Sequence, residues 1–453
     1  MTDRFHLVTA LWGRGFVERF LSTTLPTILS AKNLPALQGA ALVKYSILTT
    51  DADAQDIKGS PLWAELVKNA DVSFETSSEF EANHKYSRAT DLYCVGLETS
   101  ARLNAATIFL TPDALWSDGC LRRVRELANE GYRAVIVDGL RSVKGDIMPV
   151  INTLSQKSAA GALSIGSRDL MDLAIENIHP VEAISTWGVS QIHDVPYRLH
   201  WPVPGGGLLS SSFCGHPILL YPDREVAAFE GAIDHGLVQA ALSDAAKVYY
   251  PADTSELAIV SIDELGFSSQ NLKSTDNRRR ILDISKWAYH HATPQNLEAF
   301  QNPVGRQTSE TVDLETWRRI ERQAKFHISA ILSVRKLLIV MFELENRGAA
   351  LAAALIAYGL HELNLVTALA TTDELTILAP EDHGMKLQSV TVKSDAEKGV
   401  LRKRIRDHTL LGNIPAQDIP QLISGVEIVQ ANLQIDNWTL HIIKQPVAER
   451  SSP

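Results

Sequence analysis

The chain has 453 residues and a formal net charge of −10, from 43 Lys and Arg against 53 Asp and Glu. Hydrophobic residues make up 45% and charged residues 21%, a globular balance that excludes a mainly disordered chain. The acidic excess argues against a nucleic-acid binder, which carries basic excess.

At ~100–200 residues per domain the length suits two or three domains. Cys94, Cys120 and Cys214 are an odd number without CxxC spacing, so neither a disulfide framework nor a structural zinc site is expected. The opening MTDRFHLVTALWGRG lacks a basic stretch followed by a long apolar run, the mark of a signal peptide. The longest apolar run, Gly348–Leu360, has 13 residues, short of the ~20 a membrane helix needs. These features lead to the expectation of a cytoplasmic protein without a transmembrane segment.

Strand and helix signals alternate through the first half. His6–Leu11 reads as a strand and Gly15–Ala31 as a helix that Pro26 kinks or shortens. Val43–Leu48 is the next strand, followed by the polar loop Thr49–Asp53, and Pro61–Lys68 is a helix with proline at its start. Asp71–Glu75 is a strand, and a helical tract lies between Ser78 and Leu103. Ala106–Leu110 is a strand, Asp118–Asn129 a helix stopped by Gly131, and Arg133–Val137 a further strand. This alternation predicts an α/β, Rossmann-like fold with a mostly parallel sheet. From Ala159 onwards the pattern is irregular, with strand-like Pro217–Tyr221 and two apolar runs carrying acids, Gly231–Leu237 and Leu257–Gly266. Gln301–Thr311 is the best linker candidate, and it divides the chain into domains 1–305 and 306–453. Leu314–Asn346 is a long amphipathic helix and Arg347–Glu362 a second one. The rest holds short strand-like runs, so the C-terminal region is expected to be helix-rich α+β, serving packing or a homo-oligomer.

Ligands of such sheets sit beyond the carboxyl ends of the strands, which selects the loops Trp12–Gly15, Thr49–Asp53, Thr111–Gly119 and Asp138–Arg141. Asp51 and Asp53 spell D-x-D. The pair is read as a polar turn, as a cation site or, preferably, as a place where Asp51 accepts from the base or ribose of a nucleotide. Asp113 follows the strongest strand and is either a turn residue or a ligand-binding carboxylate. Ser117 or Asp118 is expected to cap the next helix, whose free N–H groups would also suit an anion. Arg141 either grips a phosphate as a fork or pairs with Asp138 or Asp146. Asp234, flanked by apolar residues, is a candidate base, although on a strand it and His235 would face opposite ways. His216 is a candidate donor or ligand, and Asp263-Glu264 and His290-His291 stand at lower rank. No G-x-G-x-x-G, Walker A, G-x-S-x-G or zincin pattern is present.

The run Leu11-Trp12-Gly13, Phe16-Val17, Phe20-Leu21, Leu25-Pro26 and Ser30 to Asn33-Leu34-Pro35-Ala36-Leu37 resembles the opening of bacterial glycosyltransferase-like proteins of the GT-A type. Tyr45–Thr49, Thr111-Pro112-Asp113 with Ser117-Asp118-Gly119, Ile233–Leu237, Ser261–Glu264 and Trp287–Phe300 extend the resemblance over residues 5–305. It implies transfer of a sugar from a nucleotide-diphospho-sugar donor to an unknown acceptor. Asp113 would hold Mg²⁺ or Mn²⁺ on the diphosphate, with Trp12, Thr49, Asp51 and Arg141 as further donor-binding candidates. Asp234 would be the base in an inverting reaction, and His216 is a further catalytic candidate. Thr111 stands where the first Asp of the family's D-x-D would be, which puts metal dependence in question. It also keeps alive a non-catalytic binding or assembly module of the same fold. A sugar nucleotidyltransferase ranks last, because its basic, glycine-rich amino-terminal loop is missing.

Overall fold

The computed structural model describes residues 3–76, 85–156, 161–226, 229, 231–266, 271–347, 375–380, 408–411, 414–419, 428–435 and 438–443. It divides into two compact units, Met1–Asp276 with Ala292–Glu321, and Asn277–His291 with Arg322–Pro453.

The first unit is built on a seven-stranded sheet. Its strands are β1 (Arg4–Ala10), β2 (Leu42–Thr49), β3 (Asp71–Thr76), β4 (Ala106–Phe109), β5 (Ala134–Val137), β6 (His216–Leu220) and β7 (Val248–Tyr249), in the spatial order β3-β2-β1-β4-β6-β5-β7. All five strands read from the sequence lie in this one sheet. Every pairing is parallel except those of β6, which runs antiparallel to both β4 and β5. This is the mostly parallel α/β sheet the alternation predicts. β6 lies outside the alternating region and enters from the irregular one.

β1 is buried along six of its seven residues, as a central strand covered on both faces must be. Its one ionisable residue there, His6, is fully buried and bonded at both ring nitrogens, Nδ1 to Ser100 Oγ at 2.7 Å and Nε2 to Ser46 Oγ at 2.8 Å. The helix Lys85–Arg102 crosses β1 so closely that a Cβ on Gly96 would come within 2.5 Å of Val8 Cγ1.

Several local expectations need correcting. The polar loop Thr49–Asp53 is instead the start of a helix, Asp51–Lys58, with Thr50 as its cap. The helix expected over Gly15–Ala31 breaks at Thr23 into Arg14–Ser22 and Thr24–Ile28, and Pro26 is accommodated near the start of the second piece. Asp118 does not cap the helix Cys120–Glu130. It accepts from Ser30 Oγ at 2.8 Å and pairs with Lys32 at 3.3 Å. The cap comes from Asn33, whose Oδ1 accepts from the Gly119 and Leu121 amides, so those N–H groups are not available to an anion. Gly131 does end that helix, at φ 99°. Gln301–Thr311 is not a linker: Val304–Arg306 pairs with Leu208–Ser212, and Arg306 is fully buried.

In the second unit the helix Leu314–Asn346 begins within the first unit's bounds and continues as expected. Ile328, Ile331, Val334, Leu337, Val340 and Leu344 recur at three- and four-residue steps and are buried. Phe342, on the same helix, is 51% exposed. A four-stranded sheet contains Leu375–Pro380 and Trp438–Ile443, in the region of short strand-like runs. The expected second helix, Arg347–Glu362, lies outside the described residues apart from Arg347. Among the described residues no helix is long and apolar enough to cross a membrane.

Candidate active site at the carboxyl edge of the sheet

The strand order reverses between β1 and β4, and ligands of open α/β sheets bind in the crevice outside such a switch point. Leu11-Trp12-Gly13 leaves β1 on one side of it, and Thr111-Pro112-Asp113 leaves β4 on the other. Because β6 is antiparallel, its amino end lies at this same edge, with His216 paired to Val137 at the carboxyl end of β5. The topology therefore gathers Trp12, Thr49, Asp113, Asp138 and His216 along one edge.

Asp113 is held by a second, three-stranded sheet of Ala114–Trp116, Ile259–Asp263 and Leu140–Val143. The Ile262 amide donates to the Asp113 carbonyl at 2.8 Å, which sets Asp263 beside it. Burial and the negative charge of Asp263 push the Asp113 carboxyl up to about 6, against the pull of Arg19 and Arg141. Arg141 Nε lies 3.2 Å from Asp263 Oδ2, and Arg19 Nη1 lies 3.9 Å from Asp263 Oδ1. Asp263 is itself buried, and its Oδ1 has no hydrogen-bond partner among the described residues. Two carboxylates in each other's field, one with an unsatisfied oxygen, offer hard, all-oxygen donors. Mg²⁺ and Mn²⁺ are held by one or two such groups together with substrate phosphates, so these residues fit the implied cation. Arg141 thus pairs with Asp263, and at 4.0 Å with Glu182, rather than with Asp138 or Asp146.

Asp138 belongs to a buried ionic lattice that spacing along the chain does not announce. Arg198 bridges Asp138 and Glu182. Arg306 Nη2 reaches Asp138 Oδ2 at 2.7 Å, and its Nε donates to Ser210 Oγ at 2.8 Å. His200 joins Glu182 at 3.0 Å and Ser210 at 2.8 Å. Burial opposes the Glu182 charge, but Arg198 and His200 outweigh it and hold that carboxyl well below its usual range. The partners lie 60 and 168 positions from Asp138 in sequence. Arg198 and His200 sit on the strand Arg198–Pro202 in a region that reads as irregular, and Arg306 falls in the supposed linker.

At the amino end of β6, Asp234 and His235 are not on a strand. They form a loop ahead of the short helix Leu237–Ala241. This brings Asp234, His235 and Cys214 together, with their ligating atoms all within 4.8 Å of one another. Burial lowers the His216 imidazole to about 4 even though Asp234 pulls the other way, so His216 is neutral at physiological pH. Its Nε2 has no hydrogen-bond partner among the described residues. Burial and the Asp234 charge push the Cys214 thiol up.

The nucleotide-side candidates are less uniform. Thr49 is buried at the end of β2 and its Oγ1 has no partner among the described residues. Trp12 is partly buried against the cluster that holds Val8, Ala10 and Leu48. Asp51 is exposed in the first turn of its helix. Asp53, the other carboxylate of the D-x-D, is consumed structurally. It accepts from the Gly13 amide and from Thr50 Oγ1, both at 2.8 Å.

No protein-family model matches the chain, and no curated protein matches it. Several solved structures are similar to it. One is a mannosyltransferase from Pyrobaculum calidifontis in complex with GDP-Man and Mn²⁺, 12% identical over 81% of this chain and 84% of that one, at a TM-score of 0.29. S. aureus TarS is 9% identical over 98% of this chain and 60% of its own, at 0.27. A protein described as a glucose-1-phosphate thymidylyltransferase from Bacillus anthracis, in complex with a sucrose, is 14% identical over 32% of this chain, at 0.21. The chain spans 56% of the length of that last protein. The chain has a mixed α/β architecture, with a mostly parallel central sheet followed by a helix-containing C-terminal region.

Proposed function

We propose that the protein transfers a sugar from a nucleotide-diphospho-sugar to an acceptor hydroxyl. The observation that carries this reading is the Asp113–Asp263 pair, flanked by Arg19 and Arg141 at the switch point of the sheet. A diphosphate is the ligand for which two carboxylates and two guanidiniums belong in one place. The carboxylates would hold Mg²⁺ or Mn²⁺, and the guanidiniums meet phosphate oxygens as planar forks. The cation would supply charge neutralisation on the leaving nucleoside diphosphate. Trp12, Thr49 and Asp51 are the groups proposed for the base and ribose. Asp234 would take the proton of the acceptor hydroxyl, with neutral His216 beside it as a hydrogen-bonding partner. The buried lattice around Asp138 would keep the β5 and β6 ends fixed while donor and acceptor exchange. Residues 306–453 are proposed as a packing or homo-oligomerising region, which sizing chromatography with light scattering would check.

The test is a thermal-shift panel of UDP-, GDP- and CDP-linked sugars with and without Mn²⁺. A donor at 100 times its Kd should stabilise the fold by about 2.7 kcal/mol. Absence of stabilisation by every nucleotide sugar would remove the reading. Arg19 and Arg141, together with Thr111 in place of an acid, favour a second reading, a donor-binding module without catalysis. It predicts the same stabilisation but no release of nucleoside diphosphate with any acceptor.

A further inference from the structure

We propose that Cys214, Asp234 and His235 form a binding site for one transition-metal cation of the zinc class, separate from the all-oxygen Asp113–Asp263 pair. Their ligating atoms lie within 4.8 Å of one another, and Cys214 Sγ is 3.2 Å from His235 Nε2. With Zn–S near ~2.3 Å and Zn–N near ~2.0 Å, tetrahedral neighbours of these two kinds stand about 3.5 Å apart. Seating a cation therefore asks the pair to open by a few tenths of an ångström (~0.3 Å). The donor types choose the metal: a thiolate and an imidazole favour zinc-class ions over the magnesium and calcium that carboxylates prefer. Three protein ligands leave a fourth position open to water or substrate.

The surroundings hold these three groups in place. Asn296 Nδ2 donates to the Phe213 carbonyl at 2.7 Å and to the Asp234 carbonyl at 3.0 Å, clamping together the two segments that carry the ligands. Asn296 is itself 1% exposed and locked in a reciprocal capping box with Thr293. Ser212 Oγ accepts from the Cys214 amide at 3.1 Å and donates to the Cys214 carbonyl at 3.2 Å, fixing that backbone. Gly236 turns the chain away immediately after His235 at φ 106°. His216, on the same edge, is in the field of Asp234, with Nε2 unpartnered among the described residues. The sequence carries no zinc signature because the ligands come from two segments twenty positions apart, and only the sheet edge unites them. If Asp234 is the acceptor base, a point that rests on the function proposed above, a bound cation takes that carboxylate out of service. Metal loading would then silence transfer.

Metal-stripped full-length protein titrated with Co²⁺ is the test. One equivalent should bind and produce a thiolate-to-cobalt charge-transfer band in the near ultraviolet, which Zn²⁺ then abolishes by displacement. Cys214→Ser should remove the band. His235→Gln and Asp234→Asn should each weaken Co²⁺ binding at least ~10-fold, as loss of a metal-holding group does. Cys94→Ser and Asp113→Asn should leave the band unchanged. Absence of a band at stoichiometric Co²⁺, or a band surviving Cys214→Ser, overturns the site. Should Cys214→Ser fail to fold by circular dichroism, undiminished Co²⁺ affinity in both other variants overturns it equally. The readout is independent of nucleotide sugars, so a silent donor panel with intact Co²⁺ binding would sink only the transferase reading.

Discussion

The Gly13 amide donates to the Asp53 carboxylate across 2.8 Å, so a single bond ties the loop after β1 to the helix after β2. The same carboxylate accepts from Thr50, which in turn accepts from the Asp53 amide and caps the helix. Asp53→Ala should therefore destabilise the protein by about 1.5–3 kcal/mol, the range for losing hydrogen bonds to a buried charged group. Asp51→Ala, at an exposed position two residues earlier, should leave stability within about 0.5 kcal/mol. It should still weaken donor binding if Asp51 meets the base or ribose. Urea unfolding and donor titration of the two variants would separate these roles, and the reverse pattern would exchange them.

Asp113→Asn removes one carboxylate of the proposed cation pair and relieves the repulsion from Asp263. Mn²⁺-dependent stabilisation by donor should disappear, while the melting temperature of the free protein holds or rises. Loss of stability with intact Mn²⁺-dependent binding would mark Asp113 as a turn residue. Arg141→Ala should weaken donor binding with and without the metal, because its proposed partner is the phosphate itself.

His6 carries a pH signature. Burial, and then the charge of Lys44, lower its imidazole from 6.5 to about 4. The folded chain thus holds His6 neutral while the unfolded chain protonates it below 6.5. Between those values the unfolded state binds more protons, so stability rises with pH. The His6 contribution is complete above 6.5 and is lost as the pH falls from 6.5 to 4, amounting to about 3 kcal/mol at the acid end. His6→Asn should flatten the stability–pH curve over that window relative to the parent chain, measured by urea unfolding at successive pH values. Parallel curves would show that His6 titrates alike in both states.

Arg198→Met keeps the length of the side chain and deletes the cation between Asp138 and Glu182. Glu182 would keep His200 at 3.0 Å and the more distant Arg141 at 4.0 Å, without full compensation, whereas Asp138 would retain Arg306. Removing one member of a buried ionic group typically costs about 3–5 kcal/mol. Glu182→Gln on the Arg198→Met background should recover part of that loss. A double-mutant cycle with no coupling would show that the lattice does not act as a unit.

The sequence by itself determined the elements whose information is local. The five alternating strands, the Gly131 stop and the long Leu314–Asn346 helix were legible, because periodicity and chain-breaking residues act over a few positions. It also pointed to Asp113, since a carboxylate after a strong strand marks a sheet edge whatever lies elsewhere. Tertiary structure alone decided the rest. β6 enters antiparallel between β4 and β5 from an irregular region, and that reversal carries His216 to the strand ends. Asp263 becomes the neighbour of Asp113 only through the small second sheet. Arg198 and Arg306 meet Asp138 across 60 and 168 positions, and Asn33 rather than Asp118 caps a helix 86 positions away. Charges paired at such separations leave no periodic trace, because their positions are set by the sheet rather than by spacing along the chain.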